Sequence, residues 1–115
     1  MTQSIDITEK EASCTVHRDA VSGLMVLDVV TIEPLADYRQ AIELANRIAR
    51  QHFAEVMMLS WYDRDRDFES PQHASECHLD SAVPGYVDYG LHHGATLVVV
   101  IEAGRFVFYY TQLEP

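Results

Sequence analysis

Alternating apolar and polar positions predict a pair of strands near the start of the chain. Residues 12–18 and 24–32 are predicted to form these strands, joined by a turn that contains Gly23. In the second strand the side chains on both sides of the alternation are apolar, apart from Asp28. Because side chains alternate along a strand, this part of the sheet has two apolar faces.

A helical repeat follows, in which apolar residues recur at spacings of three and four over residues 34–53. Pro34 suits the first helical position, where its missing N–H has no partner in the helix. The opposite face, predicted to be solvated, carries Arg39, Glu43 and Arg47. Residues 55–62 are predicted to be a strand, and the strand–helix–strand order makes it parallel to residues 24–32 through a right-handed crossover.

The second half of the chain predicts a hairpin of residues 96–102 and 105–111, with Gly104 supplying the positive φ of a tight turn. Residues 84–93 fit a short helix. Residues 63–82 show no periodicity and are predicted to be a loop. A loop of this length is unusual in a small domain and often functional.

The element order β-β-α-β-(α)-β-β predicts an α+β domain, a two-layer α/β sandwich. Both helices would lie on one face of a mixed sheet of about five strands. Two helices cover only one face, yet three of the strands are apolar on both. Monomers rarely expose a large apolar patch, so we expect a homo-oligomer, most often a dimer. The alternative is that the long loop or the N-terminal segment covers the open face.

Composition narrows the class of protein. The 115 residues favour a single domain, 1–115, with residues 1–11 as a polar lead-in. A net charge of −10 disfavours nucleic acid as a partner. The chain lacks a secretory signal and any apolar run long enough to span a membrane, so we expect a cytoplasmic protein without membrane contact. Two cysteines, Cys14 and Cys77, are expected to be free thiols.

The first candidate site is a segment of alternating charge: Asp63, Arg64, Asp65, Arg66 and Asp67. If the segment is extended, the aspartates face one way and the arginines the other. It follows a strand predicted to be parallel, and open α/β sheets bind ligands at the carboxyl ends of strands. A calcium loop is excluded, because Phe68 and Ala74 occupy the positions that need glycine and glutamate. The alternative is a solvated loop whose charges pair with one another.

The second candidate combines His73, Cys77 and the adjacent His78. On a helical turn His73 and Cys77 would share a face, and imidazole and thiolate are ligands that Zn²⁺ or another divalent metal prefers. A further ligand would come from His92, His93 or a carboxylate such as Asp63. The same residues allow catalysis in which Cys77 is the nucleophile and His73 or His93 its base, with Glu76 or Asp80 orienting the imidazole. The alternative to both hypotheses is that these side chains only pack.

The third candidate lies in the predicted short helix and contributes the ligand-binding candidates Tyr86, Asp88, Tyr89, His92 and His93. Helical spacing aligns Tyr89 with His93 and Asp88 with His92. Neighbouring glycines would let a backbone approach a ligand closely. The alternative is that glycine allows this helix to pack against the sheet, with tyrosine hydroxyls at the rim.

Residues 61–71, with His73, residues 76–78 and residues 84–90, resemble a small bacterial family of unknown function. The resemblance covers most of the chain from the third predicted strand onward. It implies no activity, cofactor or catalytic residue.

Polar side chains of several kinds without a complete catalytic signature favour a small-ligand or metal-ion binding module. Its site would lie between the loop of residues 63–78 and the segment 86–93. An enzyme that uses Cys77 or a bound metal is the second hypothesis. A structural oligomer subunit is the third.

Overall fold

The computed structural model describes residues 3–8, 12–19, 23–72 and 85–113. Within these ranges seven strands form one mixed sheet, and two helices pack on it. The strands are β1 (Gln3–Thr8), β2 (Ala12–Arg18), β3 (Met25–Thr31), β4 (Val56–Asp63), β5 (Phe68–Ser70), β6 (Leu97–Ile101) and β7 (Phe106–Gln112). The helices are α1 (Tyr38–His52) and α2 (Gly85–His92). The predicted class, an α+β fold with a mixed sheet, is confirmed.

The strand order across the sheet is β1-β2-β3-β6-β7-β4-β5. Strands β3 and β6 are parallel, and the other neighbouring pairs are antiparallel. Strand β4 therefore runs in the same direction as β3, as predicted, with β6 and β7 between them. The last residues of β3, β4 and β6 are Thr31, Asp63 and Ile101, and we call this border of the sheet the carboxyl edge.

Helix α1 begins later than the sequence pattern predicts. Its N-cap is Asp37, whose Oδ1 accepts a hydrogen bond from the backbone N–H of Arg39 at 3.0 Å. The prediction that Pro34 occupies the first helical position is wrong. The backbone N–H of Leu35 donates to Glu102 Oε2 at 2.8 Å. This hydrogen bond holds residues near Leu35 at the carboxyl edge, so the helix begins only after them.

The apolar side of α1 packs on one face of the sheet. Its buried residues are Ala41, Leu44, Ala45, Ile48 and Ala49. The strands contribute Leu27, Val29, Leu97, Val99, Ile101, Phe106, Phe108 and Tyr110 to the same core. The one polar group at the end of Tyr110 is satisfied, because its hydroxyl donates to Asn46 Oδ1 at 2.7 Å. The predicted apolar face of the helix is confirmed.

Helix α2 packs on the opposite face of the sheet. There Tyr86 and Val87 contact the core formed by Leu24, Val98, Val107 and Tyr109. The prediction that both helices lie on one face is therefore wrong, and the fold has three layers. The physical reason is the second apolar face of the central strands, which α2 covers within the chain.

Two strands arise where the sequence predicts irregular chain. Strand β1 lies in the expected polar lead-in, and β5 lies in the expected loop of residues 63–82. Both are edge strands, and each pairs antiparallel with one neighbour. Strand β1 does alternate, with Ile5 and Ile7 between polar residues, so the prediction of a lead-in overlooked a strand pattern. Strand β5 has three residues, which are too few to show a period.

The open part of the second sheet face is smaller than predicted, because α2 covers β4 and β7. What stays accessible in the described residues is the β3–β6 region, where Val26 and Val100 are half-buried and Val30 is 65% exposed. The homo-oligomer thus stays a prediction. Neither α1 nor α2 is long and apolar enough to cross a membrane.

Candidate functional site

A network of charged side chains joins three turns at the carboxyl edge; we call Asp65, Glu102 and Arg105 the edge network. Arg105 Nε and Nη2 donate to Asp65 Oδ2 at 2.9 and 2.6 Å. Arg105 Nη1 donates to Glu102 Oε1 at 2.8 Å and to the Leu35 carbonyl at 2.9 Å. Glu102 Oε2 accepts from Thr31 Oγ1 at 2.6 Å. The network ties the β4–β5 turn, the β6–β7 turn and the β3–α1 loop together.

The electrostatics of the edge network favour its charged form. Hydrogen bonds from Arg105 lower the pKa of Asp65. Burial acts to raise the pKa of Glu102, but hydrogen bonds from Thr31 and Arg105 outweigh it, so that pKa is also lowered. The carboxylates in turn raise the pKa of Arg105. Glu102 has a φ of 53°, an uncommon conformation for a residue with a side chain, and these contacts hold it there.

Asp63 and Arg66 form a second polar contact, on the α1 face. Asp63 is 1% exposed, and its carboxylate accepts from the backbone N–H of Asp65 at 3.0 Å and from Arg66 Nε at 2.7 Å. The guanidinium of Arg66 lies 3.9 Å from the ring centroid of Tyr38 and 4.7 Å from that of Phe68. Both charged groups are thus used in packing between α1 and the β4–β5 hairpin.

The segment of alternating charge is a tight turn, which corrects the assumption that it is extended. Residues 64–67 connect β4 to β5, and Asp67 has a φ of 48°. The three aspartates therefore do not share a face. Arg64 has an exposed side chain, while its backbone N–H donates to the Arg105 carbonyl at 2.9 Å.

The predicted ligand-binding residues of α2 make contacts with the sheet and with one another. The rings of Tyr86 and Tyr62 are stacked, with centroids 4.9 Å apart. Burial raises the pKa of Tyr86. The hydroxyl of Tyr62 donates to Asp67 Oδ1 at 2.8 Å, which raises the pKa of Tyr62. One corner of the β4–β5 turn therefore reaches α2.

The remaining α2 candidates lie at the rim of the helix in the predicted i,i+4 pairs. The rings of Tyr89 and His93 stack with centroids 3.9 Å apart. His92 Nδ1 lies 3.4 Å from Asp88 Oδ1. These contacts support the interpretation that the helix packs against the sheet with polar groups at its rim.

The predicted site has two halves, and the sheet separates several residues of the first half from the second half on α2. Asp63 and Arg66 lie on the α1 face, whereas Tyr86 belongs to α2 on the other face. Strand β5 contacts α2, and Asp67 is linked to α2 through Tyr62, whose ring stacks on that of Tyr86 and whose hydroxyl donates to Asp67. A site that combines Asp63 and Arg66 with the α2 side chains is thus not assembled within these ranges.

His73, Cys77 and His78 lie outside the described residues, so the metal and nucleophile hypotheses stay predictions. Over residues 3–8, 12–19, 23–72 and 85–113 no group of three or more His, Cys, Asp and Glu side chains could hold a metal ion.

A depression of about 760 Å³ lies between the β3–α1 loop and α1, near the carboxyl edge. It is lined by Ile32, Glu33, Pro34, Leu35, Ala36, Gln40, Glu43, Leu44 and Arg47. Four of these residues belong to α1 and have i,i+3,i+4,i+7 spacing, so they occupy one side of the helix: Gln40, Glu43, Leu44 and Arg47. The volume is in the range of small-molecule sites.

The sequence pattern places Glu43 and Arg47 on a solvated face of the helix and does not indicate a site there. Both are exposed, as predicted. The position of the β3–α1 loop could have indicated the depression. The loop follows the carboxyl end of a strand that has a parallel neighbour, and ligands bind at such ends in open α/β sheets.

We expect the Cys14 thiol to be unreactive in the folded protein. The side chain is fully buried, and burial, with a smaller contribution from the Asp28 carboxylate, raises its pKa to about 11. The Cys77→Ser variant, which retains Cys14 alone, should react with an aromatic disulfide reagent only after unfolding in guanidinium chloride, because the thiolate is the reactive form. The absorbance of the released thiol measures the rate.

The complementary variant Cys14→Ala isolates Cys77. A labelling rate that rises only near the ordinary thiol pKa of about 8.5 would contradict a role for Cys77 as an activated nucleophile. Rapid labelling of folded Cys77→Ser protein would contradict the burial of Cys14.

The fold and the depression define a small α+β protein with a mixed sheet between two helices and a ligand-sized depression near the carboxyl edge. The chain belongs to the family described as Domain of unknown function (DUF5619), whose model matches residues 26–110. This agrees with the predicted resemblance to a family of unknown function. No curated protein matches the chain.

The fold is similar to the crystal structure of AF1514, described as a novel protein, from Archeoglobus fulgidus DSM 4304. The TM-score is 0.59 at 22% sequence identity, and the match covers 78% of this chain and 96% of that one. The similarity establishes the shared fold.

Proposed function

We propose that this chain is a small-molecule-binding module and that its site is the depression beside α1. The observation that carries the proposal is a depression of about 760 Å³, lined by both aliphatic and charged side chains, near the carboxyl edge. Sites for small molecules are typically concave and supplied with polar groups that orient the ligand.

The edge network supports the proposal because it holds one wall of the depression in place. Leu35 lines the depression, and both its backbone N–H and its carbonyl are hydrogen-bonded, to Glu102 and to Arg105. Gln40 Oε1 accepts from the N–H of Ala36 at 2.7 Å, which joins the loop to the helix. A wall fixed in advance lowers the ordering cost of binding.

The charged groups first predicted as ligands have internal partners. Asp63 binds Arg66, and Asp65 binds Arg105, so a ligand at these residues would have to replace existing hydrogen bonds. Leaving a buried carboxylate such as Asp63 without its partners costs about 1–3 kcal/mol. The depression offers a ligand surface without this cost.

The test is a titration of ¹⁵N-labelled protein with 3-methylbutan-1-ol, a small neutral probe, followed by amide chemical shifts. We expect a dissociation constant on the order of 1 mM, with the largest shifts in residues 32–36 and 40–47. Ala36→Phe should remove these shifts by filling the depression. Ala54→Phe is the matched control, because Ala54 is exposed beyond the end of α1. Shifts that cluster on α2, or that Ala36→Phe leaves unchanged, would contradict the proposal.

A further inference from the structure

We infer that the ligand of the depression carries a positively charged amine on an aliphatic body; this inference rests on the proposed function. Two observations lead to it. Backbone donors of the lining already have hydrogen-bond partners, and carboxylates remain exposed at its surface.

The backbone of residues 34–36 offers no free N–H donor. Pro34 has no N–H, the N–H of Leu35 donates to Glu102, and that of Ala36 donates to Gln40. The start of α1 is occupied by its own cap, because the Asp37 carboxylate accepts from the Arg39 backbone N–H. An anion such as phosphate needs free N–H groups of this kind, so the loop does not favour one.

The acceptors, in contrast, are accessible. Glu33 and Glu43 line the depression and are both exposed. In the described part of the chain neither carboxylate is hydrogen-bonded or ion-paired. Arg47, the one cation of the lining, already takes part in an interaction of its own. The lining therefore presents negative charge to a ligand.

The net charge of the whole chain also favours a cationic ligand. A net charge of −10 raises the local concentration of cations and repels anions. At neutral pH a primary amine carries a positive charge, and its three N–H donors complement carboxylate oxygens.

The aliphatic part of the lining determines the body of the ligand. Ile32 is 63% exposed, although it is a large hydrophobic residue, and it lines the depression together with Leu35 and Leu44. Contact with a branched alkyl group would remove this apolar surface from water. The lining thus matches an alkylamine better than a free inorganic cation.

The test compares three probes with the same branched alkyl body at neutral pH: 3-methylbutylamine, 3-methylbutan-1-ol and 3-methylbutanoate. Each is titrated into ¹⁵N-labelled full-length protein. We expect the amine to bind about fivefold more tightly than the alcohol, and the carboxylate to bind more weakly than either. Added salt should weaken binding of the amine and leave that of the alcohol nearly unchanged.

The variants Glu33→Gln and Glu43→Gln remove one negative charge each at nearly constant shape. Each should weaken amine binding about twofold to fivefold without affecting the alcohol. Glu55→Gln is the control, because Glu55 is exposed outside the depression. Equal affinities for amine and alcohol, unaffected by these variants, would overturn the inference and leave the proposed function standing. A lack of shifts with both probes would overturn the proposed function.

Discussion

Arg105→Met is expected to destabilise the protein by about 3 kcal/mol, because it leaves a half-buried charge cluster without its cation. Arg105 donates to two carboxylates and to the carbonyl of Leu35. Without it Glu102, with a side chain only 15% exposed, keeps its charge but loses its counter-ion. Urea unfolding at neutral pH, with midpoint and slope both fitted, measures the effect.

The matched control is Arg39→Met, which breaks an ion pair with Asp37 on an arginine that is 76% exposed. An exposed pair contributes less than about 1 kcal/mol, so this variant should stay close to the wild type. Similar small losses in both variants would show that the edge network does not stabilise the fold.

Lowering the pH should reduce the difference in the free energy of unfolding between the wild type and Arg105→Met. The pKa values of Asp65 and Glu102 are lowered in the folded state, so their stabilising effect is present above their unfolded values of about 4. It is lost as pH falls through the folded-state values. The free-energy gap between the two proteins should therefore narrow from neutral pH to about pH 3.

Gly90→Ala is expected to destabilise the protein by about 2 kcal/mol, although alanine favours helices over glycine by about 1 kcal/mol. A Cβ at this position would lie 2.9 Å from both Cβ and Cγ of Tyr109. These atoms belong to the base of a buried side chain, so α2 itself would have to move away from the sheet. Thermal unfolding measures the loss, and near-ultraviolet circular dichroism reports the tyrosine cluster under α2.

Leu91→Ala is the control for this prediction, since Leu91 is the next residue of α2 and is 45% exposed. It should change the free energy of unfolding by less than about 0.5 kcal/mol. A Gly90→Ala protein more stable than the wild type would mean that helix propensity outweighs the close contact with Tyr109.

Most elements of the fold could be predicted because their side-chain periodicity reflects burial. The alternation in residues 24–32 predicts two apolar faces, and on one of them Leu27 and Val29 pack under α1 together with Phe106 and Phe108 of β7. The pattern did not indicate where α2 lies. A sheet with two apolar faces is compatible with helices on one face plus a partner, or with one helix on each face.

The candidate site was predictable only in part. The carboxyl edge was expected to carry charged residues, and Asp63, Asp65 and Arg66 are found there. Their partners were not predictable, because Arg105 lies 40 residues from Asp65 in sequence and meets it only when β4, β6 and β7 are in register. The depression also depends on contacts between distant residues. Glu102 binds the backbone N–H of Leu35 and so positions the β3–α1 loop, which forms one wall of the depression.

Local periodicity and turn chemistry, which depend on neighbouring residues, determined by themselves the two helices, five of the strands, the hairpin turn at Gly104 and the α+β class. The tertiary structure alone decided the opposite placement of α2, the late start of α1 and the engagement of the predicted charged ligands. The physical reason is that hydrogen bonds and ion pairs between distant residues compete for the same groups, and only the folded arrangement shows which partner is within reach.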